Sequence, residues 1–206
     1  MDEKQEFVAR AERRDAAENR QRILDAATRL FDRHGAGQVS MNQIATEAQI
    51  GPGTLYRRYR NKSELCTDLM RDNIVMLFDD IETYLDRHQN DSPRERLRGI
   101  LERFVRFREK KNQLLMGMEE PAATNRGRPR TQSPLYQQLH EVLVGLFEEM
   151  ASPGLTASSV FRADMLLVAL SSESYAIQRE VRGLSPETIV EELGLAFFPE
   201  ELRNSE

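Results

Sequence analysis

The chain has 206 residues, 31% of them charged, a formal net charge of −5 and one cysteine. A single cysteine excludes an intrachain disulfide and fits a reducing cytoplasm, and no apolar run approaches the roughly 20 residues that span a bilayer. The acidic balance excludes a protein that coats nucleic acid along its whole surface, but the charge is uneven: residues 1–70 hold twelve Lys and Arg against eleven Asp and Glu, so the acid excess lies beyond them.

Residues 1–18 are dense in charge of both signs and weakly periodic, which predicts a flexible arm or a ragged extension of the first helix. Arg10, Arg13 and Arg14 suit an adjacent minor groove, yet Glu12 and Asp15 sit among them, so a solvated tail is the better reading of the run. From about Asn19 the spacing of Ile23, Ala27, Leu30 and Phe31 predicts a helix with one apolar face, closed at Gly35 after His34. His34 in its last turn favours the negative end of the helix dipole.

Ser40 to Lys62, SMNQIATEAQIGPGTLYRRYRNK, is the centre of the sequence. Apart from Glu47, no acid lies between Gly35 and Ser63, while Arg57, Arg58, Arg60 and Lys62 crowd its end, a composition suited to phosphate. Ser40 and Gln43 are spaced as a capping box. Ile44, Ala45, Ala48 and Ile50 give the following helix an apolar face small enough for a close crossing. After a corner at residues 49–53, Leu55 and Tyr59 recur at i, i+4 and point inward, which leaves Pro52, Gly53, Thr54, Tyr56, Arg57 and Arg58 outward. A helix-turn-helix presents its second helix in this way, N-terminal end first, to a major groove.

Asn61 and Glu64 form a capping pair for a long helix through Leu65, Leu69, Ile74, Leu77, Ile81 and Leu85 to about His88. Cys66 among Leu65, Leu69 and Met70 reads as a packed thiol; nothing nearby resembles a resolving partner for a redox switch. The pairs Ser92-Pro93, Ser133-Pro134 and Ser185-Pro186 each suit the opening of a helix. The first of these helices has Ile100, Leu101, Phe104, Val105 and Phe107 on its apolar face, and the second has Leu139, Val142, Leu143, Leu146 and Phe147. Between them, Met118 to Pro134 carries Pro121, Gly127 and Pro129 with no apolar period and reads as a loop. Its Arg126, Arg128 and Arg130 suit a solvated lid better than a second nucleic-acid contact. From Phe161 through Tyr175 to Ile177 the chain is apolar over more than one face, which predicts burial on two sides and a partner surface beyond its own domain.

Enzymatic constellations are lacking. His34, His88 and His140 are widely separated, and no His-x-x-x-His or Cys-x-x-Cys spacing offers a metal site. Gly51-Pro52-Gly53 follows no strand and precedes no Gly-Lys-Ser/Thr, so it is not a phosphate loop. Ser171, Ser172 and Glu173 read as mid-helix packing residues rather than a nucleophile and its helper. No catalytic residue, metal or cofactor is expected.

The run GTLYRRY at Gly53 to Tyr59, the helix start Asn61-Lys62-Ser63-Glu64-Leu65 and the preceding amphipathic helix ending at Phe31 and Gly35 resemble the TetR family of bacterial transcriptional regulators. The resemblance is specific from about Gln21 to Leu69 and architectural beyond. It implies an all-α fold: a flexible arm at 1–18, a three-helix helix-turn-helix head at 19–65, and a helical-bundle body for ligand binding and dimerisation at 66–206. It also implies phosphate contacts from Thr54, Tyr56 and Lys62, with Asn42, Pro52, Gly53, Arg57 and Arg58 reaching bases and Ser40 at the same surface. The chain departs from the family in having Gln49 where glycine is usual, and Pro52 supplies no amide donor.

In the body, Phe104, Phe107, Met116, Met118, Phe147, Met165 and Tyr175 are the candidates to line an apolar effector pocket, although at helical spacing such side chains ordinarily form core. The resemblance favours the pocket. The function it implies is a cytoplasmic homodimer that represses from a palindromic duplex operator and is released by a small apolar or amphipathic effector. The last two long stretches, Ser158 to Arg182 and Pro186 to Phe198, would pair across the dimer. The alternatives are a DNA-binding activator or architectural protein without effector, and a helical enzyme with a DNA-targeting head.

Overall fold

A computed structural model of the chain describes residues 3–116, 134–151 and 157–198, and among these it is helical with no strand. Helix α1 is Glu3–His34, α2 Met41–Glu47, α3 Pro52–Arg58, α4 Lys62–Arg87 and α5 Pro93–Met116. Helix α6 is Pro134–Glu149, α7 Ser159–Ala169, α8 Ser172–Ala176, continued by a π turn at Ile177–Val181, and α9 Pro186–Phe197.

Local side chains set where these helices start. Ser40 caps α2 in a full capping box with Gln43, and Ser92 pairs reciprocally with Glu95 at the head of α5. Asn61 Oδ1 accepts from the Glu64 amide at 2.9 Å to open α4. Ser185 caps α9 with Pro186 in the first turn, and α5 and α6 likewise open on the prolines of their Ser-Pro pairs. Each cap satisfies amides that the helix itself leaves orphaned, which contributes about 1 kcal/mol.

The chain divides into two compact units, Met1–Asn73 with Glu109–Thr124, and Ile74–Arg108 with Asn125–Glu206. In the first, Ile23, Ala26 and Ala27 of α1, Ile44 of α2, Leu55 of α3 and Leu65 and Cys66 of α4 all have no exposed surface, and Leu114 of α5 joins them. In the second, Leu77 and Ile81 of α4 pack with Leu97, Ile100, Leu101 and Phe104 of α5, Leu143 and Phe147 of α6, Ala163 and Leu166 of α7, and Ile189 and Val190 of α9. Each large aliphatic or aromatic side chain so buried contributes roughly 1.5–3 kcal/mol.

Three sequence expectations change here. Residues 3–18 are not a separate arm: they form the ragged extension, as one continuous helix with the rest of α1, since they contain neither Gly nor Pro to stop it. The division falls within α4, after Asn73, rather than at residue 65, because Leu65, Cys66 and Leu69 pack with the first three helices. The stretch 158–182 is interrupted. Leu170 leaves the helix at φ −82° and ψ 7°, and Ser171 starts a new one by accepting from the Ser174 amide. Arg108 of α5 donates to the freed Leu170 carbonyl and to Ser172 Oγ, so the two serines and one buried guanidinium stabilise the break. The loop expected between Met118 and Pro134, with Arg126, Arg128 and Arg130, lies outside the described residues.

Candidate nucleic-acid interface

Helix α3 buries one side and shows the other. Leu55 is fully buried and Tyr59 nearly so, whereas Tyr56 is 46% exposed, and Pro52, Gly53, Arg57 and Arg58 are exposed beside it with Thr54 half-buried. Ser40 and Asn42, at the start of α2, are exposed as well. Arg57 and Arg58 occupy the last turn of α3, where cations complement the helix dipole. An added Cβ at Gly53 would meet no atom within 4 Å, so the front of the helix is open to an outside partner.

The corner before α3 is held from α1. Gln49 has φ 56° and is the one non-glycine residue with positive φ among the described residues; this left-handed conformation costs a side-chain-bearing residue roughly 1 kcal/mol or more. Arg22 Nη2 donates to the carbonyls of Ala48 and Gln49 at 2.8 and 3.1 Å, placing a cation on the negative end of α2. Farther along α1, Arg29 Nε and Arg33 Nη2 donate to the Glu47 carboxylate at 3.0 and 3.1 Å. The bond from Arg29 first, and the charge of both arginines, hold that carboxyl below its usual range. The sole acid of the 36–62 run is thereby turned toward α1 and neutralised.

The far end of α3 is tied to both long helices. Tyr59 donates its hydroxyl proton to Asp68 Oδ2 at 2.6 Å, and Arg20 of α1 grips the same carboxylate through two bonds of 2.9 Å. Arg20 reaches Asp72 one turn on, at 2.7 Å, and Arg58 donates to the Ala16 carbonyl at 3.3 Å. These bonds, Arg20's foremost, lower the Asp68 pKa, while burial and then the Asp68 contact push the Tyr59 hydroxyl up to about 12. Cys66 beneath is fully buried and its thiol is pushed up to about 11 by burial, which keeps it out of thiolate chemistry.

Lys62 sits otherwise than at an open phosphate-facing edge. Its ammonium donates to the carbonyls of Ala36, Gly37 and Val39 at 2.9, 3.4 and 3.0 Å. All three of its protons are thus engaged in fixing the turn that leads into Ser40. Arg20, Arg22 and Asp68 were not among the residues singled out from the sequence. The available signal was the 22, 29, 33 spacing of arginines, which puts three cations on one side of α1.

The effector candidates are differently placed. Phe104, Phe107, Phe147 and Tyr175 are 0–7% exposed within the core of the second unit, and Met165 is 38% exposed at its surface. Met116 ends α5, and Met118 lies outside the described residues. The four buried rings serve packing, as regular helical spacing ordinarily does. In the first unit, however, α1, α3 and α4 border an open cleft of about 850 Å³ lined by Asn19, Arg57, Arg58, Thr67, Asp68 and Arg71 among others. No group of three His, Cys, Asp or Glu side chains suited to a metal occurs among the described residues, and no described helix is long and apolar enough to cross a membrane.

Comparisons with known proteins agree with this geometry. The sequence model for bacterial regulatory proteins of the tetR family matches residues 23–69, the segment that holds α2 and α3. An HTH-type transcriptional regulator of Staphylococcus aureus (strain bovine RF122 / ET3-1) is 35% identical over 175 residues, covering 85% of this chain and 90% of that protein. Among solved structures, a TetR transcriptional regulator from Streptomyces coelicolor superposes with a TM-score of 0.56 at 24% identity, over 86% of this chain and 97% of that one. Thermus thermophilus FadR, a TetR-family repressor in complex with lauroyl-CoA, gives 0.56 at 22% identity, over 90% and 97%. The helix-turn-helix, the extent of the similarity and the shared all-helical fold lead to one assignment: the chain belongs to the TetR family of bacterial regulatory proteins and is a transcriptional regulator of that type.

Proposed function

We propose that the chain is a homodimeric repressor that binds a palindromic duplex operator and leaves it when a small apolar or amphipathic molecule binds the body. The observation that carries the reading is the two-sided α3, with Leu55 and Tyr59 buried and Tyr56, Arg57 and Arg58 exposed, in a run, 36–62, whose one acid is already paired. Arg57 reads a base edge, Thr54 and Tyr56 contact phosphates, and Pro52, Gly53 and Asn42 border the groove. Ser40 sets the start of α2. Lys62 enters through the turn it holds, its charge adding to the local field.

Dimerisation is supported by α7, where Val160, Phe161, Met165 and Val168 are 38–56% exposed, and by α9, where Leu195 is 67% exposed. A monomer rarely leaves such side chains grouped in water. Release by a ligand requires that it bind one conformation of the body more tightly than the other. Lauroyl-CoA bound to the FadR structure supports an amphipathic ligand class. A regulator without effector is the second reading, favoured by the burial of Phe104, Phe107, Phe147 and Tyr175 in the core.

Purified protein is titrated against duplex from its own upstream region and a scrambled control, then against a panel of small apolar and amphipathic molecules. Specific binding that a panel member weakens supports the repressor reading. Specific binding that every member leaves untouched favours the second, and equal affinity for both duplexes sinks the operator claim.

A further inference from the structure

We propose that the cleft bordered by α1, α3 and α4 in the first unit is a phosphate-binding site, with Arg71 as its principal residue outside α3. The inference rests on the reading of α3 as a DNA-binding helix only for one of its two possible sources of phosphate.

The charges of the cleft decide its ligand. Five charged side chains line it: Arg57, Arg58, Arg71, Glu64 and Asp68. Both carboxylates are already satisfied. Asp68 receives Arg20 and Tyr59, and Glu64 accepts from the Arg60 amide at 2.8 Å and lies 3.9 Å from its guanidinium. The arginines are not used up in the same way. Arg58 donates to the Ala16 carbonyl and lies against the Tyr59 ring, while Arg57 and Arg71 make no hydrogen bond or ion pair with any described residue. An incoming group therefore meets the exposed guanidinium of Arg71 on α4, facing the arginines of α3 across about 850 Å³ of open space. Guanidinium forks match the paired oxygens of phosphate and bind them bidentately. A cation in the cleft would instead face Arg57, Arg58 and Arg71 with both carboxylates taken.

Phosphate reaches such a site either from the backbone of a bound duplex, running along the flank of α3 that carries Thr54 and Arg58, or from a soluble phosphorylated molecule. The wild type, Arg71→Ala and Arg71→Lys are compared by fluorescence anisotropy on operator and scrambled duplex across a salt series. In parallel they are titrated calorimetrically with inorganic pyrophosphate at low salt. Arg71 is exposed and bonded to no described residue, so unchanged thermal midpoints serve as the folding control.

If the duplex backbone occupies the cleft, Arg71→Ala flattens the log–log salt slope by about 0.9 and weakens both duplexes alike, by about eightfold at 0.1 M salt, which is that slope taken one decade below 1 M. Arg71→Lys then keeps most of the slope. If the source is soluble, duplex binding is unchanged and pyrophosphate affinity falls at least tenfold in Arg71→Ala. An unchanged slope, together with pyrophosphate that the wild type ignores or that Arg71→Ala binds equally well, overturns the proposal. Should the wild type bind no duplex, the DNA reading fails by itself and the pyrophosphate arm alone decides the cleft.

Discussion

Arg22, on the first helix, donates to the carbonyl of Gln49, the residue that turns the chain from α2 toward α3 in a left-handed conformation at φ 56°. The pairing links a strained backbone to the charge that steadies it. Gln49→Gly removes a side-chain penalty of roughly 1 kcal/mol but adds freedom to the unfolded chain, so a net gain of about 0.5 kcal/mol is expected. Arg22→Ala should lose about 1.5 kcal/mol, in the range for bonds to a charged group. It should lose less in the Gln49→Gly background. Urea unfolding of the four proteins measures this coupling, and strictly additive effects would show that Arg22 does not offset the strain.

Tyr59 and Asp68 make stability depend on pH at both ends, the first chiefly through its burial and the second chiefly through its bonds from Arg20. Folding raises the Tyr59 pKa to about 12, against about 10 in an unfolded chain, so its contribution is whole below pH 10 and is lost as pH rises toward 12. Asp68 is shifted down, so its contribution is present above about pH 4 and is lost as the solution becomes more acid. Tyr59→Phe should flatten the alkaline limb of a stability profile, and Asp68→Asn the acid limb. Parallel profiles for wild type and Tyr59→Phe between pH 10 and 12 would contradict the first assignment.

Lys62 separates structural support from phosphate contact. Because its ammonium already serves three carbonyls, Lys62→Ala should lower the stability of the protein by about 2 kcal/mol and change operator affinity through the displaced α2. A thermal or urea midpoint equal to wild type, with only the salt slope reduced, would return Lys62 to the role of a plain phosphate contact.

Much of this was legible before any coordinates, for definite reasons. Ser40–Gln43, Asn61–Glu64 and the Ser-Pro pairs act within one turn of chain, so their spacing alone located helix starts. Leu55 and Tyr59 marked the buried side of α3 by period. What the sequence withheld depends on residues far apart in the chain. Arg22 and Ala48 are 26 positions apart, and Arg20 and Asp68 are 48. The break at Ser171 was missed because two serines inside an apolar run read as packing, and the capping role depends on Arg108, which is 62 residues from Leu170. Phe104 and Phe147 show the opposite limit: helical spacing says that a side chain faces inward, not whether a core or a cavity waits there.

The exposed side of α7 gives a test of assembly. Phe161 and Val168 are 56% and 54% exposed and stand seven residues apart, on one face. Phe161→Glu with Val168→Glu should leave the fold intact, since neither is buried, and convert a dimer to monomers in sedimentation velocity runs at micromolar concentration. It should also weaken operator binding at least tenfold, because two linked heads bind more tightly than one. A variant that sediments as the wild type does would place the interface elsewhere.

The central claim is that α3 reads duplex sequence, and Arg57, exposed in its last turn, tests it most directly. The measurement is the ratio of affinities for operator and scrambled duplex, in wild type and in Arg57→Ala, at one fixed salt concentration. A base contact predicts that the ratio falls by about 1–3 kcal/mol, roughly 5- to 150-fold, chiefly through loss on the operator. Equal weakening on both duplexes, with the ratio unchanged, would contradict it.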